Sequence, residues 1–136
     1  MSALPRIDLA RYRIEKASRQ LLIATQSLKN GFVEEVVAKS YYCILTSMRA
    51  LLAMKGLDAR THEGVINLFH KHFVREKTFP DTFNKIIIDL KDLREDADYG
   101  DFTEISENAA KQALKDAEEF FVVAKKALDQ LISDSN

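Results

Sequence analysis

The chain has 136 residues, 46% apolar and 30% charged, with 20 basic and 21 acidic side chains, the proportions of one compact domain spanning residues 1–136. Only 4 Gly and 2 Pro are present, too few breakers for a many-stranded sandwich or a disordered tail, and no apolar run nears the roughly 20 residues a bilayer span needs. A single cysteine, Cys43, excludes an intrachain disulfide and a Cys-x-x-Cys zinc or redox pair, and with no secretory signal behind Met1 the expected address is cytoplasmic, away from membranes.

In the first segment Ile14, Ala17, Leu21, Ala24 and Leu28 step by 3, 4, 3, 4, which predicts an amphipathic helix from about residue 7 to Lys29, ended by Asn30-Gly31. From Phe32 to Lys55 the apolar residues (Val33, Val36, Val37, Tyr41, Ile44, Leu45, Met48, Leu51, Leu52) cover more than one face, so this helix is expected at the buried centre, stopping at Gly56. Thr61 is the expected N-cap of a shorter helix to about Arg75, with Val65, Ile66, Phe69 and Phe73 inward. Pro80 opens the next, whose stripe is Phe83, Ile87, Leu90, Leu93 and Ala97. After a link over 98–103, a last helix reaches about Ile132 on Ala110, Leu114, Ala117, Phe121, Ala124, Leu128 and Leu131. The expected fold is all-α: an up-and-down antiparallel bundle of four long helices plus one short helix.

Charge is unevenly spread along this bundle. Residues 1–30 hold six basic and two acidic groups and 49–77 hold six and three, whereas 89–119 hold four and eleven. Basic segments can attract a phosphate backbone and the acidic one a basic partner, although charge on solvated helix faces ordinarily serves solubility.

Few residues qualify for chemistry. His70 and His72 stand two apart on a helix and so diverge, and neither forms an i,i+4 pair with His62. The acidic run Asp96-x-Asp98 with Glu107 mimics a calcium loop, yet Gly100 takes a ligand slot and Asp101 the turn-glycine slot, so no metal site is expected. His62, at the start of its helix, suits a solvated or capping role, and Cys43 that of a small buried apolar residue. Arg94 is the most suggestive: one turn gathers it with Glu95, Asp98 and Tyr99, as a phosphate holder or as an i,i+4 ion pair with Asp98.

Ser40-Tyr41-Tyr42, Arg49-Ala50-Leu51-Leu52, Thr61-His62-Glu63-Gly64-Val65-Ile66 and Arg94-x-x-Ala97-Asp98-Tyr99 together resemble a small prokaryotic branch of the HEPN (higher eukaryotes and prokaryotes nucleotide-binding) family over nearly the whole chain. The resemblance implies a homodimeric helical bundle, often paired with a minimal nucleotidyltransferase in toxin–antitoxin systems. Catalytic members are metal-independent ribonucleases that carry Arg, four to six residues, then His, in two copies across the dimer. Arg94 matches the signature arginine, but Tyr99 stands after four positions and no histidine follows His72. Tyr, with a usual pKa near 10, is a poor base at pH 7.

The site expected from the resemblance is therefore Arg94, Asp98 and Tyr99 in the catalytic position and Tyr42, Arg49 and His62 as binding residues, with no cofactor and no imidazole beside the arginine. The leading expectation is a binding module for a nucleotidyltransferase partner, with RNA or nucleotide near Arg94. The alternatives are a ribonuclease that recruits His62 or another non-standard base, and a nucleotide or small-ligand pocket, which no Gly-rich phosphate loop supports.

Overall fold

The computed structural model describes residues 4–77, 79–99 and 104–135, the side chain of Tyr99 excepted. Its elements are α1 (Leu4–Lys29), α2 (Val33–Met54), α3 (His62–Phe69) running on into a π turn (His70–Val74), α4 (Thr82–Tyr99) and α5 (Glu107–Asp134). There is no strand among the described residues, and the all-α bundle of four long helices and one short one is as the periodicities predict. No helix is long and apolar enough to cross a membrane among the described residues.

The tight connection between α1 and α2 follows from one glycine. Gly31 takes φ +78, where a side chain would be strained, and lets Phe32 N–H reach Ser27 O at 2.9 Å and Gly31 N–H reach Leu28 O at 3.2 Å. Gly56, at φ +69, ends α2 in the same way, with Leu57 N–H on Leu52 O and Gly56 N–H on Ala53 O, both at 3.0 Å. Both helix ends thus satisfy carbonyls that would otherwise lack partners, and both stops fall where Gly predicts them.

Between these stops α2 is buried on nearly every side and packs against all four other helices. Val36, Ile44, Met48, Leu51 and Leu52 are fully enclosed, each contributing about 1.5–3 kcal/mol by leaving water. α1 covers one flank with Ile7, Ala10, Ile14, Ala17 and Ala24, the three alanines allowing close approach, while Leu21 and Leu28 of the expected stripe are only partly buried.

Beneath α3 the core is aromatic. Phe69, Phe73, Phe79, Phe83 and Phe120 form a contiguous set with ring centroids 4.9–6.2 Å apart. The third helix was expected to continue unchanged to Arg75; instead it widens after Phe69, Arg75 N–H reaching His70 O at 2.8 Å, five residues back. The wider turn brings Phe73 and Val74 inward together, and Lys55 Nζ from the end of α2 covers it, 3.4 Å from His72 O and 4.8 Å from the centre of the Phe73 ring.

This aromatic set also corrects the register expected for the last helix. A strict 4-and-3 step places Phe121 and Leu131 inward, but Phe120 and Ile132 are the buried residues and Phe121 and Leu131 lie at the margin. A straight helix drifts against a seven-residue repeat, and the Phe69–Phe79 rings receive position 120. Truncation separates the two: Phe120→Ala should cost about 3–5 kcal/mol in urea unfolding, and Phe121→Ala less than half of that. Equal losses would contradict the observed register.

Candidate functional site

The site begins with a cap. Thr61 has extended backbone (φ −104, ψ 154) and its Oγ1 accepts the Gly64 N–H at 2.9 Å, which makes His62 the first residue of α3. Gly64 permits the fold-back, since a Cβ there would lie 2.9 Å from Ala59 Cβ and 3.0 Å from Thr61 Oγ1. Upstream, Asp58 fastens the same loop: Oδ1 accepts from Arg49 Nη1 at 2.9 Å and from Ala59 N–H at 2.8 Å, and Oδ2 from Arg13 Nη2 at 3.2 Å. Arg13 Nη1 also donates to Arg49 O at 3.1 Å, so α1, α2 and the loop into α3 share one network. Slight burial works to raise the Asp58 pKa, but the Ala59 N–H and the two guanidiniums prevail and hold it below the usual carboxylate value.

His62 is thereby set against the paired tyrosines of α2. Its ring centroid lies 5.7 Å from that of Tyr41 and 5.9 Å from that of Tyr42, and the two phenol rings meet edge to face at 5.6 Å. Arg94 of α4 closes the group from the other side. Its guanidinium carbon is 5.6 Å from the Tyr41 ring centre and 5.4 Å from that of Tyr42, its Nη2 donates to the Tyr42 hydroxyl at 2.8 Å, and its Nε lies 2.9 Å from Asp98 Oδ2. With a side chain only 17% exposed, the arginine is held in one place by a carboxylate, a phenol and two ring faces.

Of the residues expected from the sequence, Tyr42, His62, Arg94 and Asp98 stand together. Arg49 belongs to the adjoining Asp58 network and acts on His62 through its charge. Tyr99 ends α4, but its side chain lies outside the described residues, as does 100–103. The link expected from Asp98 starts later, because α4 continues through Tyr99 and so keeps Asp98 one turn from Arg94. The expectation of a groove without an imidazole is overturned: the Thr61 cap delivers His62 to the tyrosines that flank Arg94. Tyr41 and Lys91 are further members that sequence reasoning missed; only the tyrosine doublet gave a signal, since the other contacts arise in tertiary packing.

Electrostatics fix the protonation states. Burial pushes the Tyr41 phenol up to about 12, against the opposing pull of Arg94, so it keeps its proton at neutral pH. The Tyr41 residue is 2% exposed, and its hydroxyl lies 3.3 Å from His62 Nδ1. The direction of this hydrogen bond follows the imidazole tautomer: with the ring proton on Nε2 the phenol donates to Nδ1, and with the proton on Nδ1 the phenol oxygen accepts it. Burial first, then the charges of Arg94, Arg49 and Lys91, hold the His62 pKa below its usual value near 6.5. His62 is therefore neutral at pH 7 and presents an N–H. With its proton on Nε2, such an imidazole turns a donor outward while the phenol occupies its Nδ1 lone pair. Cys43, its thiol pushed up to about 12 by burial, is chemically inert.

These shifts set a pH dependence. A His whose folded pKa is depressed contributes stability above its unfolded value near 6.5 and loses it as pH falls through the folded value. Imidazole NMR titration should place the His62 midpoint below 6.5, and Arg94→Gln should move it upward by removing the cation with the largest effect on it. A midpoint unchanged by Arg94→Gln would refute the coupling.

Comparison with known proteins agrees with this fold. The model of the HEPN domain matches residues 10–127. A Methanocaldococcus jannaschii protein named "Putative toxin" is 34% identical over 119 residues, 88% of each chain. A UPF0332 protein of Archaeoglobus fulgidus is 32% identical over 124 residues, covering 91% of this chain and 98% of its own, and one of Thermotoga maritima is 30% identical over 104 residues, covering 76% and 79%. The domain match and the extent of these relatives establish that the chain belongs to the HEPN domain family.

Proposed function

We propose that this chain is a toxin-type HEPN module that binds RNA phosphate at Arg94 and His62 without cleaving it, and that it dimerises and engages a minimal nucleotidyltransferase partner. The observation that carries the reading is the Tyr41 hydroxyl on His62 Nδ1. With the phenol as donor the imidazole presents Nε2–H, so Arg94 and His62 together offer N–H groups to an anion, beside Arg49 and Lys91, whose charges bear on His62 while each pairs with a carboxylate. Phosphodiester cleavage without a metal needs a base to take the 2′-hydroxyl proton and an acid to protonate the leaving oxygen, and a neutral imidazole with an occupied Nδ1 supplies neither.

The toxin half of the proposal draws on the name of the Methanocaldococcus relative, and the paired, dimeric half on family membership. The acidic stretch over 89–119 suits a basic partner surface.

A second reading, ribonuclease action with His62 as base, is favoured by the imidazole lying on both tyrosines that flank Arg94. It requires Nδ1–H to donate to the phenol oxygen, leaving the Nε2 lone pair open.

One assay separates the two. With EDTA present, RNA should stay intact while binding it in a salt-dependent way, and Arg94→Ala should weaken binding about tenfold or more, consistent with loss of a charge-assisted phosphate contact. Metal-independent cleavage that disappears in His62→Ala would overturn the binding reading in favour of the second.

A further inference from the structure

The structure points to a base-reading groove beside the phosphate site. On α4 the residues Asn84, Ile87, Lys91, Arg94 and Asp98 step by 3, 4, 3, 4 and so form one continuous stripe. Its first half, with Ile88 beside it, faces Glu63, Ile66 and Asn67 of α3 and His70 of the π turn across a groove of about 320 Å³. That is within the size range of small-ligand sites. Ile88 is 56% exposed at its lip, an apolar side chain that the bundle leaves uncovered. Lys91 belongs both to the groove wall and to the cations that act on His62, and it stands one turn from Arg94 on α4, so the groove and the Arg94 cluster share this residue. From Arg94 back to Ile88 the stripe covers about 9 Å at 1.5 Å per residue.

We infer that this groove takes the nucleobase of the nucleotide whose phosphate lies at Arg94, the ring lying against Ile66 and Ile88 with its polar edge toward the Asn67 and Asn84 amides. A base has two apolar faces and a rim of donors and acceptors, and an Asn amide offers one of each to that rim. The cation at the inner end and the apolar wall beyond it match the order of phosphate and base along one nucleotide. The inference rests on the phosphate-binding reading above.

The test uses two labelled RNA strands of about eight nucleotides, one with all its bases and one abasic throughout, each titrated against the full chain by fluorescence anisotropy. The native strand should bind at least about tenfold tighter than the abasic one, the range of one good base contact. Asn67→Ala/Asn84→Ala and, separately, Ile88→Glu should reduce that advantage below about threefold and leave abasic binding within about twofold. Arg94→Ala should weaken both strands alike. Equal binding of the two strands by the wild type, or an advantage that survives both groove variants while Arg94→Ala weakens both strands, overturns the groove and leaves the phosphate reading standing. Indifference of both strands to Arg94→Ala, or no binding of either, overturns the phosphate reading and the groove with it.

Discussion

The Tyr41 hydroxyl is buried beneath α3 and α4, and its need for a hydrogen-bond partner decides the chemistry of everything around it. It holds the imidazole of His62 on the paired phenols, while Tyr42 receives the guanidinium of Arg94. Three helices are joined at this point. The Thr61 cap fixes where α3 starts, the Asp58 network fixes the loop before it, and the Arg94–Asp98 pair fixes the end of α4. The exposed pairs contribute little each, about 0–1 kcal/mol, so their role is to position the site.

That arrangement gives an HEPN chain lacking the imidazole after its arginine a histidine on the two tyrosines that flank the arginine. His62 comes from a different helix, with its Nδ1 hydrogen-bonded to the Tyr41 hydroxyl and its pKa held down by burial and three cations. On the proposed function, the arginine and the histidine hold an anion and do not transfer a proton. An arginine with its Nε facing Asp98 and its faces against two rings is well placed to bind and poorly placed to move.

Much of the fold was legible in the residues because it rests on local chemistry. Gly31 and Gly56 end their helices through positive φ, Thr61 caps α3 with its own hydroxyl, and the density of apolar residues in α2 marks the centre of the bundle. What escaped is what packing decides. The heptad step in α5 is ambiguous between Phe120 and Phe121 until the rings of Phe69 and Phe79 are in place, and the π turn exists because Phe73 and Val74 must both turn inward. At the site, Arg94 and Asp98 were legible as an i,i+4 pair, whereas the approach of His62 spans 21 residues to Tyr41 and follows from the loop fastened by Arg13, Arg49 and Asp58.

The central claim is that the Tyr41 phenol donates to His62 and so leaves its proton on the outer nitrogen. Long-range proton–nitrogen NMR of the imidazole at neutral pH reads this directly. The account expects a protonated Nε2 and an unprotonated Nδ1, with the pattern lost in Tyr41→Phe. A protonated Nδ1 with an open Nε2 lone pair in the unaltered chain would contradict it and return His62 to the role of a base.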